Sequence, residues 1–284
     1  MNRNLILNRM LHSYFFMTGI ICLVLVLLVI HVMPIFIEWD PISTSLTERF
    51  VAPEYFANGL KGHILGTDQL GRDILIRLLV GGQYSFRLAF ICVPIITFIG
   101  CVLGIVAGYF GGWIDVVIMR LCETMMAIPS LIMAIAIIAI LGQSFTILVL
   151  VLCIGGWVQL TKLVRNNVRI VKDREFVLAS KALGAKGSHI MFKQIFPNIT
   201  TQIIVLTSQR VGGIILMESS LSYLNLGIAM PAPSWGNMMS QGRQYLTTQP
   251  WMIVVPGIAL MISVLACNFT GDGIRDVLDT KRKV

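Results

Sequence analysis

Six apolar stretches limit what this chain can fold into. They fall at about 15 to 37, 85 to 109, 117 to 141, 145 to 164, 199 to 228 and 251 to 270. A helix needs roughly 20 apolar residues to cross the hydrocarbon of a bilayer. In that medium only helices and closed barrels satisfy their own backbone polar groups. The expected fold is therefore an all-α integral membrane protein with six transmembrane helices. Of the 284 residues, 56% are hydrophobic and only 13% charged, where a soluble domain carries about 25% charged residues. No stretch is left for a separate soluble domain. The pattern divides into 1–84, a first transmembrane helix with an external loop and an interfacial helix, and 85–284, a five-helix core that includes a long basic loop at 165–198.

The first run follows Arg3 and Arg9, as the apolar core of a signal peptide would. It is long enough to span, however, and no small-residue cleavage site follows, so a retained first helix is expected. The net charge of +8 lies mostly in short connections between the runs. With the N-terminus inside, fourteen Lys and Arg residues fall on the cytoplasmic side, among them Lys162, Arg165, Lys181, Lys186 and Lys193, against six outside. That bias predicts both termini in the cytoplasm. The same scatter argues against nucleic acid as a partner and for membrane lipid. All six cysteines sit in apolar segments without a CxxC pair and read as small buried hydrophobes. His31, Met125 and Met126 likewise read as packing, because no cluster of His, Cys and carboxylates has ligand spacing.

The external segment contains "HILGTDQLGRDILIRLL". Thr67 or Asp68 is placed to cap a short interfacial helix marked by Ile74, Leu75, Leu78 and Leu79, with Asp68, Arg72 and Asp73 forming a salt-linked turn. In the cytoplasmic loop, Phe176, Ala179 and Leu183 follow i, i+3, i+7, the pattern of a short amphipathic helix. Gly184 and Gly187 permit a sharp bend, Ser188 is placed to cap the next turn, and Pro197 disfavours helix at the residue before it. Residue types alone leave two uses for such a segment: a helix lying on anionic lipid, or a docking element for a soluble partner.

The stretch "ASKALGAKGSHIMFKQIFPN" resembles the docking loop of bacterial ABC-importer permeases, which reads Glu-Ala-Ala, three residues, Gly, nine residues, Ile, one residue, Leu-Pro. Ala179 and Gly184 match, and Pro197 lies at the matching distance. Leu178, Ser180, Gln194 and Phe196 stand where the pattern has Glu, Ala, Ile and Leu. "HILGTDQLGRDIL", "GYFGGWIDVVIMR", "AIPSLIMAIAI", "LSYLNLGIAMPAPSWGNMM", "PWMIVVPGIAL" and "NFTGDGIRDVLD" are similar, in order, to the second permease subunit of the dipeptide, oligopeptide and nickel branch. "REFVLAS" and "QYLTTQP" lean faintly toward nickel or metal chelates.

The resemblance implies a type I importer permease in the bacterial cytoplasmic membrane, with a cytoplasmic coupling helix. Its implied partners are a second homologous permease, two cytoplasmic ATPase subunits and an external solute-binding protein. ATP and Mg would be used by those ATPases, with no cofactor on this chain; consistently, it has no GxxxxGK[ST] phosphate loop. The resemblance assigns Ala179, Ser180, Gly184 and Pro197 to ATPase docking. It places Pro231, Pro233, Ser234, Trp235 and Gly236 toward the binding protein, although Pro and Trp also mark an ordinary interfacial helix. Glu123, Arg210 and Glu218 are ionisable residues in or near spans, which suits either pathway lining or helix pairing. Arg210 and Glu218, about two turns apart, are expected on one face. A passive channel or secondary transporter would not need the docking loop. An intramembrane enzyme would need paired catalytic groups that the spans do not offer.

Overall fold

The computed structural model describes residues 10, 13–36, 40–53 and 62–278. Apart from isolated bridges, such as that between Thr67 and Asp73, the regular structure among these residues is helical. α1 spans Tyr14–Val32, α2 Ile74–Phe110, α3 Gly112–Ala127, α4 Ser130–Leu141, α5 Phe145–Lys172 and α6 Glu175–Ala182. A helical turn at Gly187–His189 then runs through a π-helical stretch, Ile190–Ile195, into α7, Phe196–Tyr223. α8 covers Trp235–Gly242 and α9 Trp251–Leu278. Five helical rods are long and apolar enough to cross a membrane, and the bent pair α3–α4 meets the same test taken together.

Glycines set the closest approach in the bundle. Between lipid-facing helices, association rests on close van der Waals packing, which small residues allow. On α2, Gly100, Gly104 and Gly108 recur every four residues and face Leu160, Val164 and Val168 of α5, at the same spacing. A β-carbon on Gly104 would stand 2.6 Å from that of Val164, and one on Gly108 would stand 2.7 Å from that of Val168. α1 packs along α9 in the same way, with Gly19 against Phe269 and Thr270, and Gly273 against Phe16.

Three expectations need correction. The interfacial helix and the second span are one helix: Gly81 and Gly82 do not interrupt α2 but let the Ser234 backbone and the Trp235 indole approach it. At 37 residues and ~1.5 Å per residue, α2 outreaches the ~30 Å hydrocarbon, so part of the helix stands clear of it. Its cap is Asp73, which accepts from the Ile76 N–H, and not Thr67 or Asp68. The run at 117–141 is not one straight helix. Ile128, before Pro129, is held extended at φ −103°, ψ 124°, as the proline ring demands, and α3 and α4 meet at an 83° bend.

Candidate functional site

The loop at 173–198 is built as a helix, a tight turn and a return. α6 ends in a Schellman turn: Gly184 N–H bonds to Lys181 C=O at 3.0 Å, and Ala185 N–H bonds to Ser180 C=O at 3.0 Å. That turn requires the left-handed backbone found at Gly184, φ +81°, which glycine adopts without steric cost. Nothing lies within 4 Å of where a Gly184 β-carbon would sit, so the tip is open. Val177 is the α6 residue that packs inward. It joins Ile190, Ile195 and Ile199, together with Val164, Val168 and Val171 of α5, in one apolar cluster. Ser180 accepts a hydrogen bond from Gln194 Nε2 at 2.5 Å, which ties α6 to the returning helix. Lys172 Nζ bonds to the Tyr109 carbonyl, and Gly187 sits against the Tyr109 hydroxyl, seating the loop on the end of α2.

The predicted amphipathic stripe is present but faces outward. Phe176 is 42% exposed and Leu183 88%, and Ala179 and Gly184 are exposed beside them. About two turns of helix thus offer an apolar face, with the small Ala179 between Phe176 and Leu183, that its own bundle does not cover. Pro197 is exposed and lies inside a helix that Phe196 does not break. The Phe196 N–H bonds to Met191 C=O, five residues back, and this wider π turn takes in a proline that lacks a donor. Ser188 does not cap: the residue at the N-cap is Lys186, without a side-chain bond.

The three ionisable candidates lie apart. Glu123 is on the surface, paired with Arg120 at 3.1 Å. Glu218 is fully buried. It accepts from Ser85 of α2 at 2.7 Å and from Ser222 at 2.6 Å, and Ser222 in turn accepts the Ile228 N–H at 3.2 Å. Glu218 therefore locks α7 to α2 and to the segment that follows α7. Arg210 lines a cavity of about 390 Å³ with Ser130 and Met125 at the α3–α4 bend, Gln159 of α5 and Gly213. Eight residues at ~100° each leave Arg210 and Glu218 ~80° apart around α7, which is why they do not share a face.

At the opposite end of α2, the "GTDQLGRD" turn is a buried ionic cluster. The Asp68 carboxylate accepts from Arg72 Nε at 2.7 Å and stands 3.5 Å from Arg77 Nε. Asp73 pairs with His63 at 2.8 Å while capping α2. Arg72 also donates to Gln241 of α8, and Arg77 to the Pro41 carbonyl. α8 packs against this end. Ser234 accepts from Asn237 N–H at its N-terminus, Trp235 Nε1 donates to Leu78 C=O at 2.8 Å, and Gly236 sits against the Ser219 carbonyl. Of the residues expected to face a binding protein, Pro233, Ser234, Trp235 and Gly236 are buried, and Pro231 alone is exposed.

The sequence profile of the family described as binding-protein-dependent transport system inner membrane component matches residues 100–284. The chain belongs to this family. It is similar to a dipeptide transport system permease of Alkalihalophilus pseudofirmus, 39% identical over 86% of this chain and 80% of that protein. An oligopeptide transport system permease of Bacillus subtilis is 37% identical over 93% of this chain and 85% of its own length. A glutathione transport system permease of Pectobacterium atrosepticum is 38% identical over 78% of this chain and 73% of its own. The permease is thus a multi-pass component of an ABC importer, and it is not an enzyme; hydrolysis belongs to partner subunits.

One pair in the permease escapes sequence reading. Arg165 of α5 holds both carboxylate oxygens of Asp115 on α3, through Nε and Nη2. Fifty residues separate the two, so no local spacing rule links them. The only trace is an acid in the first turn of a helix, a common position for helix-dipole reasons alone.

Proposed function

We propose that this permease, with a second homologous subunit, forms the membrane pathway of a peptide importer. In this reading an external solute-binding protein delivers the peptide, and two cytoplasmic ATPases using ATP and Mg drive its uptake. Both termini and the 173–198 loop face the cytoplasm, as the surplus of Lys and Arg on that side supports. The observation that carries the proposal is the uncovered stripe Phe176, Ala179, Leu183 beside Gly184. An apolar helix face beside a hydrogen-bonded turn suits docking into a soluble partner's groove. Its inner side, Val177 and Ser180, is fixed to α5 and to the helix leading into α7. Movement of the docked partner therefore passes to two spans at once. Ala179 and Gly184 make the contact, Ser180 ties the element down, and Pro197 marks its entry into α7.

A peptide cargo is supported by the relatives named above, which are dipeptide, oligopeptide and glutathione permeases. The likeness of "REFVLAS" to nickel systems has no counterpart among them. Arg210 is the ionisable residue suited to line the pathway, and Glu218 acts as an internal brace. On the binding-protein side, Pro231 and its neighbour Met230 are presented outward, while Trp235 holds α8 against α2.

Reconstitution of the complete transporter in liposomes tests this. Uptake of short peptides should require ATP, the ATPases and the binding protein together. Peptide accumulation without ATP would replace the importer reading with a channel or secondary transporter.

A further inference from the structure

Arg210 lies midway along α7, at a depth where a charged side chain is costly unless it is paired or faces a polar cavity. Among the described residues no carboxylate pairs with it; its guanidinium donates through Nη2 to Gln159 Oε1 at 3.1 Å. Both side chains line the cavity of about 390 Å³ where α3 and α4 bend apart at Pro129. Two observations mark this space as kept open. Gly213, one turn beyond Arg210, has nothing within 4 Å of where its β-carbon would sit, and Gly155 has only Met133 at 3.5 Å and Ser130 at 3.9 Å. Elsewhere in the bundle, glycines such as Gly104 are filled by a neighbouring helix; these two border a space that the chain itself leaves empty. The N-terminus of α4 also opens here, with Ser130 in the lining and no side-chain cap on its first N–H groups. It adds partial positive charge of the same sign as the arginine.

We propose that this cavity is a transient carboxylate site, in which Arg210, backed by Gln159, binds the C-terminal carboxylate of a peptide in transit. This rests on the peptide reading above. A guanidinium offers the planar fork that a carboxylate matches. Every linear peptide carries that group whatever its side chains, so the contact recognises peptides without selecting among their sequences. The apolar remainder of the wall, from Met125 and Met126, is flexible enough to accept varied side chains.

The test uses the complete transporter in liposomes, with the binding protein saturated with tri-alanine or with its C-terminal amide. Receptor loading is measured for each probe, and uptake is expressed per assembled complex. The wild type should move the free acid about tenfold faster than the amide, as loss of one charge-assisted contact predicts. Arg210→Gln should bring the ratio close to one by slowing the free acid, and Arg210→Lys should keep most of it. Ser130→Glu, an acid at a helix start and so compatible with folding, places a competing carboxylate in the cavity and should also erase the preference. Equal wild-type rates for both probes, or an unchanged ratio in Arg210→Gln and Ser130→Glu, overturns the carboxylate site and leaves the peptide reading standing. Failure of the wild type to take up either loaded probe overturns both.

Discussion

The guanidinium of Arg165 and the carboxylate of Asp115 meet in a bidentate pair that fastens α3 to α5, on the side of the bundle where α6 departs. Both side chains are largely shielded, at 19% and 12% exposure. The bond joins α5, which leads into the 173–198 loop, to α3, which leads into the α3–α4 bend, so it should matter for stability and for coupling together. Asp115→Ala leaves the arginine without its partner and should destabilise the permease by about 1–3 kcal/mol. The exchanged pair, Asp115→Arg with Arg165→Asp, should recover part of that loss. Thermal unfolding in detergent, read by the exposure of buried Cys122 to a thiol reagent, checks both.

Glu218 should behave as a brace and not as a pathway residue. Glu218→Gln keeps an acceptor for one serine and offers a donor to the other, so the assembled yield should fall modestly. Glu218→Leu strands Ser85 and Ser222 and should cost about 2–4 kcal/mol. The decisive quantity is uptake per assembled complex, which should stay near wild type for Glu218→Gln. A large fall in that ratio at full assembly would return Glu218 to the pathway.

Leu183 and Gly184 separate docking from folding. Leu183 is 88% exposed, so Leu183→Asp should leave the unfolding temperature within about 1–2 °C, because surface changes away from special features cost little. ATPase subunits should nevertheless co-purify several-fold less well. Gly184→Val meets no neighbour but forces a β-branched residue to φ +81°. It should distort the Schellman turn at a cost of about 1–3 kcal/mol and reduce ATPase binding further. Retained binding in both variants would remove this loop from the docking surface.

The α2–α5 seam should be intolerant of size. Gly104→Val drives side-chain carbons into Val164 and the Thr161 carbonyl, and overpacking of this kind costs about 1–3 kcal/mol. Val164→Ala in the same chain should restore part of the expression yield, because it vacates the volume that the new side chain needs. The equivalent pair at Gly108 and Val168 should respond alike.

Much of this was legible in the sequence, because the strongest patterns are local. Apolar runs mark the spans, and a glycine after an amphipathic turn marks the bend at Gly184. The outward direction of Phe176, Ala179 and Leu183 was not legible, since a stripe shows that two faces differ and not which one the bundle covers. The deciding contact is Val177 against Val164 and Val168 of another helix. Trp235 and Ser234 carried an interface signature, yet they are buried because Gly81 and Gly82 open a seat for them on α2, about 150 residues away in the chain. The proline rule that predicted a break at Phe196 failed because a π turn supplied the room that an α turn lacks. At Pro129 the same rule held, and the cavity around Arg210 follows from it.

The π stretch at Ile190–Ile195 has a further effect on how the importer can vary. One additional residue in a helical turn rotates everything beyond it by about 100°. The helical turn at Gly187–His189 and α7, which share this rod, are therefore offset in azimuth from the setting an unbroken α-helix would give. Returning Ile190–Ile195 to α-helical winding would turn Arg210 and Glu218 relative to the 173–198 loop, so this stretch acts like a key that sets the angle between a handle and its shaft.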